Sequence, residues 1–373
     1  MSFSTLIDSA LAVPSPELCA FRRLLEPCSV EELEKLACKS RAMTRRHFGK
    51  TMRMFAPLYL SNECINACAY CGFSRDNPIF RVTLEIDQVV AEARHLTDEG
   101  FRNVLLVAGE HPKFVSVKYL QQCLECLSKE IPGLSIEVAP METQDYIPLV
   151  KAGAEGVVVY QETYDRRVYK KLHTAGPKKD YDWRLDTAER AHAAGFRRLG
   201  IGVLYGLADW RQEATALAAH LFHLQRTCWK SQITVSLPRL RPSAGCFQPT
   251  HPMEDRDLTQ LICALRVTFP RTGIVLSTRE PAPLRDALIP LGITMMSAGS
   301  HTEPGGYTGQ GADKLHLTVR GRMMEETTGA TSATEQFTIG DNRSSSEVAL
   351  MLRSSGLEPV WKDWDAAILG SAA

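Results

Sequence analysis

Net charge of either sign is the first thing this sequence lacks. Its 43 basic residues balance 43 acidic ones over 373 positions. No overall field therefore favours nucleic acid or an anionic membrane as a partner. No apolar run approaches the roughly 18 residues that a membrane span needs. The stretch from Met1 to Pro14 lacks the basic start and apolar centre of a secretory signal. There is no internal repeat and no low-complexity tract. Disulfide staples are not expected, because the eleven cysteines are odd in number and the chain, 44% hydrophobic, is long enough for a core of its own. These absences point to a globular protein of a reducing compartment, the cytoplasm.

What is present is alternation. The first 50 residues read as helical, with Ser29-Val-Glu-Glu32 resembling a capping box ahead of an apolar stripe. The basic residues 41–46 read as a solvated helix face. Short apolar runs then recur near 55–60, 103–109, 134–139, 156–160, 199–203, 233–237, 273–277 and 294–297. Stretches of helical period lie between nearly all of them, as at Ile86, Val89, Val90, Ala93 and Leu96. Repeated strand–helix units imply parallel strands joined by right-handed crossovers. The expected class is α/β, a (β/α)8 TIM-type barrel with N-terminal helical and C-terminal extensions. The expected division is a helical extension over 1–50, the barrel over 51–307, and a C-terminal part over 308–373. Within that last part the polar residues 308–346 read as a long loop or lid before a closing helix near 346–355.

The densest chemistry is Cys64-x-x-x-Cys68-x-x-Cys71, directly after the first strand. Three thiolates are one short of the four that hold a [4Fe–4S] cluster entirely by protein. An iron left without a protein ligand is free to bind a cofactor or substrate, so such a site serves reaction rather than support. The competing reading is zinc held by three cysteines and a distant histidine. Zinc motifs usually come as two pairs, however, and Cys123 and Cys126 fall on an amphipathic helix. Those two, with Cys19, Cys28, Cys38, Cys228, Cys246 and Cys263, read as small buried hydrophobes.

The pattern, with Tyr70 before the third cysteine, resembles the radical S-adenosylmethionine (SAM) superfamily. Further words narrow it. Leu58-Tyr-Leu-Ser-Asn-Glu-Cys64, Tyr70-Cys-Gly-Phe73, Gly109-Glu-His111, Tyr160-Gln-Glu-Thr-Tyr164, Ser236-Leu-Pro-Arg-Leu-Arg-Pro242, Ser277-Thr-Arg-Glu280, Pro304-Gly-Gly-Tyr307 and Pro359-Val-Trp-Lys-Asp-Trp-Asp365 together resemble the 2-iminoacetate synthase family, the tyrosine lyases of thiamine biosynthesis. The likeness runs from about residue 50 to about 365. It departs at 308–338, which is longer than the family's usual loop.

The resemblance implies a carbon–carbon lyase that breaks the Cα–Cβ bond of L-tyrosine. Its products are 2-iminoacetate (dehydroglycine) and p-cresol, and SAM is consumed to methionine and deoxyadenosine. It implies a [4Fe-4S] cluster on Cys64, Cys68 and Cys71, with SAM on the open iron. A reductant such as flavodoxin or ferredoxin supplies electrons, and thiazole synthase receives the product. Tyr70, Glu110, Glu162, Arg184 and Gly202 are the expected cofactor-binding residues, with Gly200 and Gly206 beside Gly202. Arg279 is the expected fork for the substrate carboxylate, unless it pairs with Glu280 or Asp286. Ser297 is the candidate for the substrate amine. Arg239, Arg241, His111 and His301 are further polar candidates, and no residue is assigned to the phenol proton. Two other readings remain: an L-tryptophan lyase of the same subfamily, and a non-catalytic zinc-binding barrel. The hydrogenase-maturase tyrosine lyase would need a second cluster motif near the C-terminus, but the last cysteine is Cys263.

Overall fold

In the computed structural model, which describes residues 11–324 and 330–362, the alternating segments close into a barrel. Two helices come first, α1 (Pro16–Leu24) and α2 (Val30–Phe48). The capping box forms: Glu32 N donates to Ser29 Oγ at 3.2 Å and Ser29 N donates to Glu32 Oε2 at 2.7 Å. The barrel strands are β1 (Thr51–Ser61), β4 (Asn103–Ala108), β5 (Gly133–Glu137), β6 (Ala154–Glu162), β8 (Arg198–Val203), β9 (Gln232–Ser236), β10 (Gly273–Leu276) and β11 (Met295–Ser297). They run parallel in that order, and β11 returns to pair with β1, Arg53 opposite Met295. Their near-continuous apolar character follows from burial on both faces. The inward layer is the exception. In β5, Leu134 and Ile136 are buried in the main apolar core, whereas Ser135 and Glu137 line cavities inside the barrel.

Helices Ile86–Asp98, Val117–Leu127, Thr143–Lys151, Thr187–Ala194, Trp210–Thr227, Asp255–Thr268 and Ala282–Leu288 lie between barrel strands. Leu258, Leu261, Ile262 and Leu265, at helical spacing, are all buried. Two small sheets decorate the barrel. β2 (Ala67–Cys68) pairs antiparallel with β7 (His173–Ala175). β3 (Ile79–Arg81) pairs with β12 (His316–Val319), which in turn pairs with β13 (Arg322–Met323). A last strand, β14 (Glu358–Val360), lies parallel to the start of β1, with Thr51 opposite Glu358.

Three expectations need correction. The segment from 308 is not a plain loop or free lid. It contains the β12–β13 hairpin, and its later part is tied across the barrel mouth by backbone bonds: Thr334 N to Phe80 O at 3.0 Å, Gln336 N to Thr302 O at 2.9 Å, Thr338 N to Pro242 O at 2.9 Å and Gly340 N to Thr278 O at 2.8 Å. A polar segment with little apolar surface is held here by its main chain, donating to β3 and to the loops that follow β9, β10 and β11. The closing helix forms at Ser345–Ser354, but β14 beyond it was not expected. Among the eight remaining cysteines, Cys123, Cys228 and Cys263 are buried, whereas Cys38 and Cys246 are exposed. Cys38 lies on the solvent side of α2, and Cys246 sits at φ +54° in the loop after β9. Residues 1–10 and 363–365, the latter part of the last resembling motif, lie outside the described residues. No helix among the described residues is long and apolar enough to cross a membrane.

Candidate active site

The cysteine loop leaves the C-terminal end of β1, the end where barrels of this type carry their chemistry. Arg81 fixes both ends of the loop. Its buried guanidinium donates to the carbonyl of Asn62 before the cysteines, and to those of Phe73 (3.0 Å) and Ser74 (2.8 Å) after them. β7 pairs with its middle through Ala67 and Cys68, and just before β7 the Leu172 carbonyl accepts from Ala69 N at 3.0 Å. All three thiols are free. Burial pushes the Cys68 thiol far above its ordinary value, with Lys178 opposing. Thiolates there need a cationic partner such as cluster iron. Amide groups already face two of the sulfurs, Asn66 Nδ2 at 3.7 Å from Cys64 Sγ and Gln336 Nε2 at 3.9 Å from Cys71 Sγ. A cluster offers a separate iron to each of the three thiolates. The donor set fits the cluster.

Tyr70 and His173 lie beneath the loop. His173 Nδ1 donates to Tyr169 O at 2.8 Å, which leaves Nε2 to accept from the Tyr70 hydroxyl at 2.8 Å. Burial holds His173 at about 3, so the ring is neutral. Glu110 lies on the other side, where it accepts from Asn66 Nδ2 at 2.6 Å. Gly109 must be glycine, since a Cβ would stand 2.3 Å from the Glu63 carbonyl.

β6 brings a third group. A register shift between Tyr160 and Glu162, with Glu162 at φ +71°, turns the strand end at the barrel mouth. Such non-glycine backbone strain concentrates at functional sites. Glu162 Oε1 accepts from Lys178 Nζ at 2.7 Å and lies 3.6 Å from Arg184 Nη2. Burial would raise the Glu162 carboxyl, but Lys178 and Arg184 together bring it below its ordinary value. Arg184 also donates to Tyr160 O at 2.7 Å, so it is an inner residue rather than a surface ion pair. Gly202 stands apart from these groups. A Cβ there would meet Ser236 O at 2.6 Å and the Tyr160 ring at 2.7 Å, and that crowding accounts for the glycine.

Two adjoining cavities open at this mouth. The larger has about 820 Å³ of empty space, including its open side, and reaches from Arg279 past Ser297 to an apolar wall of Leu258, Ile262 and Ile274. The second, about 490 Å³, reaches Tyr70, Cys71, Glu162 and Lys178. Glu137, Tyr160, Pro238, Arg279, Gln336 and Phe337 line both. Arg279 pairs with neither expected carboxylate. Glu280 is bound by Arg239 and Arg241, and Asp286 by Arg343. The Arg279 guanidinium instead lies 3.3 Å from the Phe337 ring centroid, and burial holds its pKa below the ordinary value. Ser297 Oγ accepts from Thr278 N at 3.2 Å and faces the same cavity. His301 bonds Glu303 at 3.0 Å, and its partly exposed ring is not among the cavity walls. Neither His111 nor His301 lines either cavity.

The sequence reading missed Glu137, Lys178 and His173. Only Glu137 carried a signal, a lone carboxylate in the strand Gly133-Leu-Ser-Ile-Glu137, two residues from Ser135 and so on the same inward face.

Comparison with known proteins agrees with this geometry. The Radical SAM superfamily matches residues 58–218, and the Biotin and Thiamin Synthesis associated domain matches 236–358. The barrel and its three-cysteine loop thus define a radical SAM enzyme. The chain is 42% identical to 2-iminoacetate synthase of Escherichia coli (strain K12), over 94% of this chain and 88% of that one. It is 40% identical to the 2-iminoacetate synthase of Salmonella typhimurium, over 92% and 86%. It belongs to the 2-iminoacetate synthase family. Among solved structures, the FeFe-hydrogenase maturase HydG from Carboxydothermus hydrogenoformans superposes with a TM-score of 0.82 at 32% identity, covering 96% of this chain and 79% of that one.

Proposed function

We propose that this chain cleaves the Cα–Cβ bond of L-tyrosine to 2-iminoacetate and p-cresol, with Arg279 holding the substrate carboxylate. The observation that carries the reading is a part-buried guanidinium with no carboxylate within ion-pair distance among the described residues, on the wall of a cavity that adjoins the cysteine loop. A guanidinium fork matches a carboxylate with two parallel bonds. The apolar wall of Leu258, Ile262 and Ile274 offers a surface for the aromatic ring.

Cys64, Cys68 and Cys71 would hold a [4Fe–4S] cluster with SAM on its open iron. Together the two supply hydrogen-atom abstraction at the substrate. Glu110, kept in place by Asn66, would accept from the SAM ammonium, and Glu162 would hold its ribose or amino group. Arg184 would pair with the SAM carboxylate, and Tyr70 would pack against the cofactor from beneath the loop. The Ser297 hydroxyl accepts from Thr278 N, so its own hydrogen is free to reach the substrate. We place the chain in the cytoplasm, with a one-electron carrier such as flavodoxin or ferredoxin as reductant and thiazole synthase as the protein that takes its product. Family membership favours tyrosine over the tryptophan and zinc-scaffold readings.

The test is anaerobic. The protein is reconstituted with iron and sulfide, reduced, and given SAM and L-tyrosine, and p-cresol and deoxyadenosine are measured by mass spectrometry. Both products should appear together and both should vanish in Cys68→Ala. Deoxyadenosine without p-cresol would retain the radical SAM chemistry and sink tyrosine cleavage.

A further inference from the structure

An α-amino acid is a zwitterion, so a site built for one needs two opposite charges with no other commitment. The charges at and behind the walls of the two cavities sort accordingly. Lys178 and Arg184 lie against Glu162, on the side assigned above to SAM. Arg239 and Arg241 are spent on Glu280. Two remain without an ion-pair partner among the described residues. One is Arg279, and the other is Glu137 at the end of β5. Both line both cavities, at the junction between the cysteine side and the apolar side.

We propose that Glu137 binds the α-ammonium of the amino-acid substrate and accepts one of its protons, while Arg279 holds the carboxylate. The inference rests on the tyrosine reading above. The transfer is R–NH3⁺ plus Glu137 carboxylate giving R–NH2 plus Glu137 carboxylic acid. One N–H bond breaks, one O–H bond forms, and no electron changes hands. An ammonium nitrogen has no lone pair to become an imine, so this proton must leave before the amine can lose a hydrogen atom and release Cβ.

The surroundings suit a proton acceptor. Burial pushes the Glu137 carboxyl up to about 7, the Glu162 charge adds to this, and Arg279, Arg184 and Lys178 oppose it. Tyr59 from β1 and Tyr160 from β6 are the other titratable groups that feel it, and both stay protonated because burial raises them. A carboxylate with raised proton affinity is a better match to an amine than an exposed one. Ser297 then falls to a supporting hydrogen bond.

Titration calorimetry on the anaerobically reconstituted holoenzyme tests this with two ligands, L-tyrosine and its des-amino analogue 3-(4-hydroxyphenyl)propionate. Wild-type protein should prefer tyrosine by on the order of tenfold to a hundredfold, the range of a hydrogen bond between charged groups. Glu137→Gln should abolish the preference while leaving the analogue's affinity within about threefold, less than one ordinary hydrogen bond. Glu137→Asp should restore part of the preference, which a role in shape alone would not do. Tyrosine binding measured in buffers of different ionisation enthalpy should show proton exchange that disappears in Glu137→Gln. Retained preference in Glu137→Gln, or equal loss of both ligands, overturns the proposal. Wild-type protein that binds the analogue but shows no preference for tyrosine overturns it while sparing Arg279. Wild-type protein that binds neither ligand overturns the tyrosine reading and this proposal with it.

Discussion

Two inward arginines in this barrel, Arg285 fully buried and Arg279 part-buried, have opposite commitments, and replacing each by methionine separates function from support. Arg285 is buried, pairs with the buried carboxylate of Asp341, and donates to the Ser297 carbonyl. Breaking such a pair costs at most about 3–5 kcal/mol, and less here because Arg343 still faces Asp341 at 2.7 Å. Arg279 has no carboxylate partner among the described residues. Its replacement orphans nothing and removes a desolvated charge, losing only a ring contact worth about 1–2 kcal/mol. Arg279→Met should therefore leave the unfolding free energy within about 1 kcal/mol of wild type or raise it, as removal of a functional charge often does. Tyrosine affinity should behave in the opposite way. Two charge-assisted bonds to the carboxylate amount to about 3–5 kcal/mol, a loss of roughly two to three and a half orders of magnitude in Kd. Arg285→Met should instead lower stability while its folded fraction keeps tyrosine affinity near wild type. The assay is urea denaturation beside calorimetric tyrosine titration for both variants. The reasoning is refuted if Arg279→Met unfolds as readily as Arg285→Met, or if it binds tyrosine within about threefold of wild type, less than a single hydrogen bond to a charged group.

Gly202→Ala should destabilise by about 1–3 kcal/mol, as overpacking does, because its Cβ would stand 2.7 Å from the Tyr160 ring. Pushing that ring into the cavity should also weaken tyrosine binding, whereas an alanine tolerated in both thermal midpoint and titration would refute the packing account. Asp341 links stability to pH. Burial would raise its carboxyl, but Arg343 and Arg285 hold it below the ordinary aspartate value. A depressed folded value contributes stability above the unfolded value and loses it as pH falls through the folded one. Asp341→Asn should therefore cost about 3 kcal/mol near neutrality and flatten the acid limb of the stability curve below about pH 4. Parallel limbs for variant and wild type would show that the carboxyl is not perturbed.

The barrel was legible in the sequence because all but the last of its strands are runs of four or more mostly apolar residues and its helices carry a clear stripe. The three-cysteine loop could be picked out because its spacing is local. β2, β7 and β14 were not, since two or three residues have no period to read. The strap over the mouth, near Gln336, was hidden for another reason. It is held by main-chain bonds to Phe80, Thr302, Pro242 and Thr278 that no side-chain pattern encodes. Arg279 could be placed from its position after a strand, but its freedom from Glu280 could not, because Arg239 and Arg241 reach that carboxylate from another strand's loop. Lys178 reads as one of two adjacent surface lysines until Glu162 is seen beneath it.

The pairing of β14 with β1 has a bearing on how the chain is made. Thr51–Arg53 emerge early from the ribosome, yet their parallel partners Glu358–Val360 are among the last of the described residues to be synthesised. The nascent protein thus carries an unpaired strand end through most of its synthesis. Non-local pairing of this kind slows folding and leaves strand edges open to misassembly. A ribosome stalled before residue 358 should hold a barrel that hydrogen exchange finds open at Thr51–Arg53, and release of the last strand should seal it.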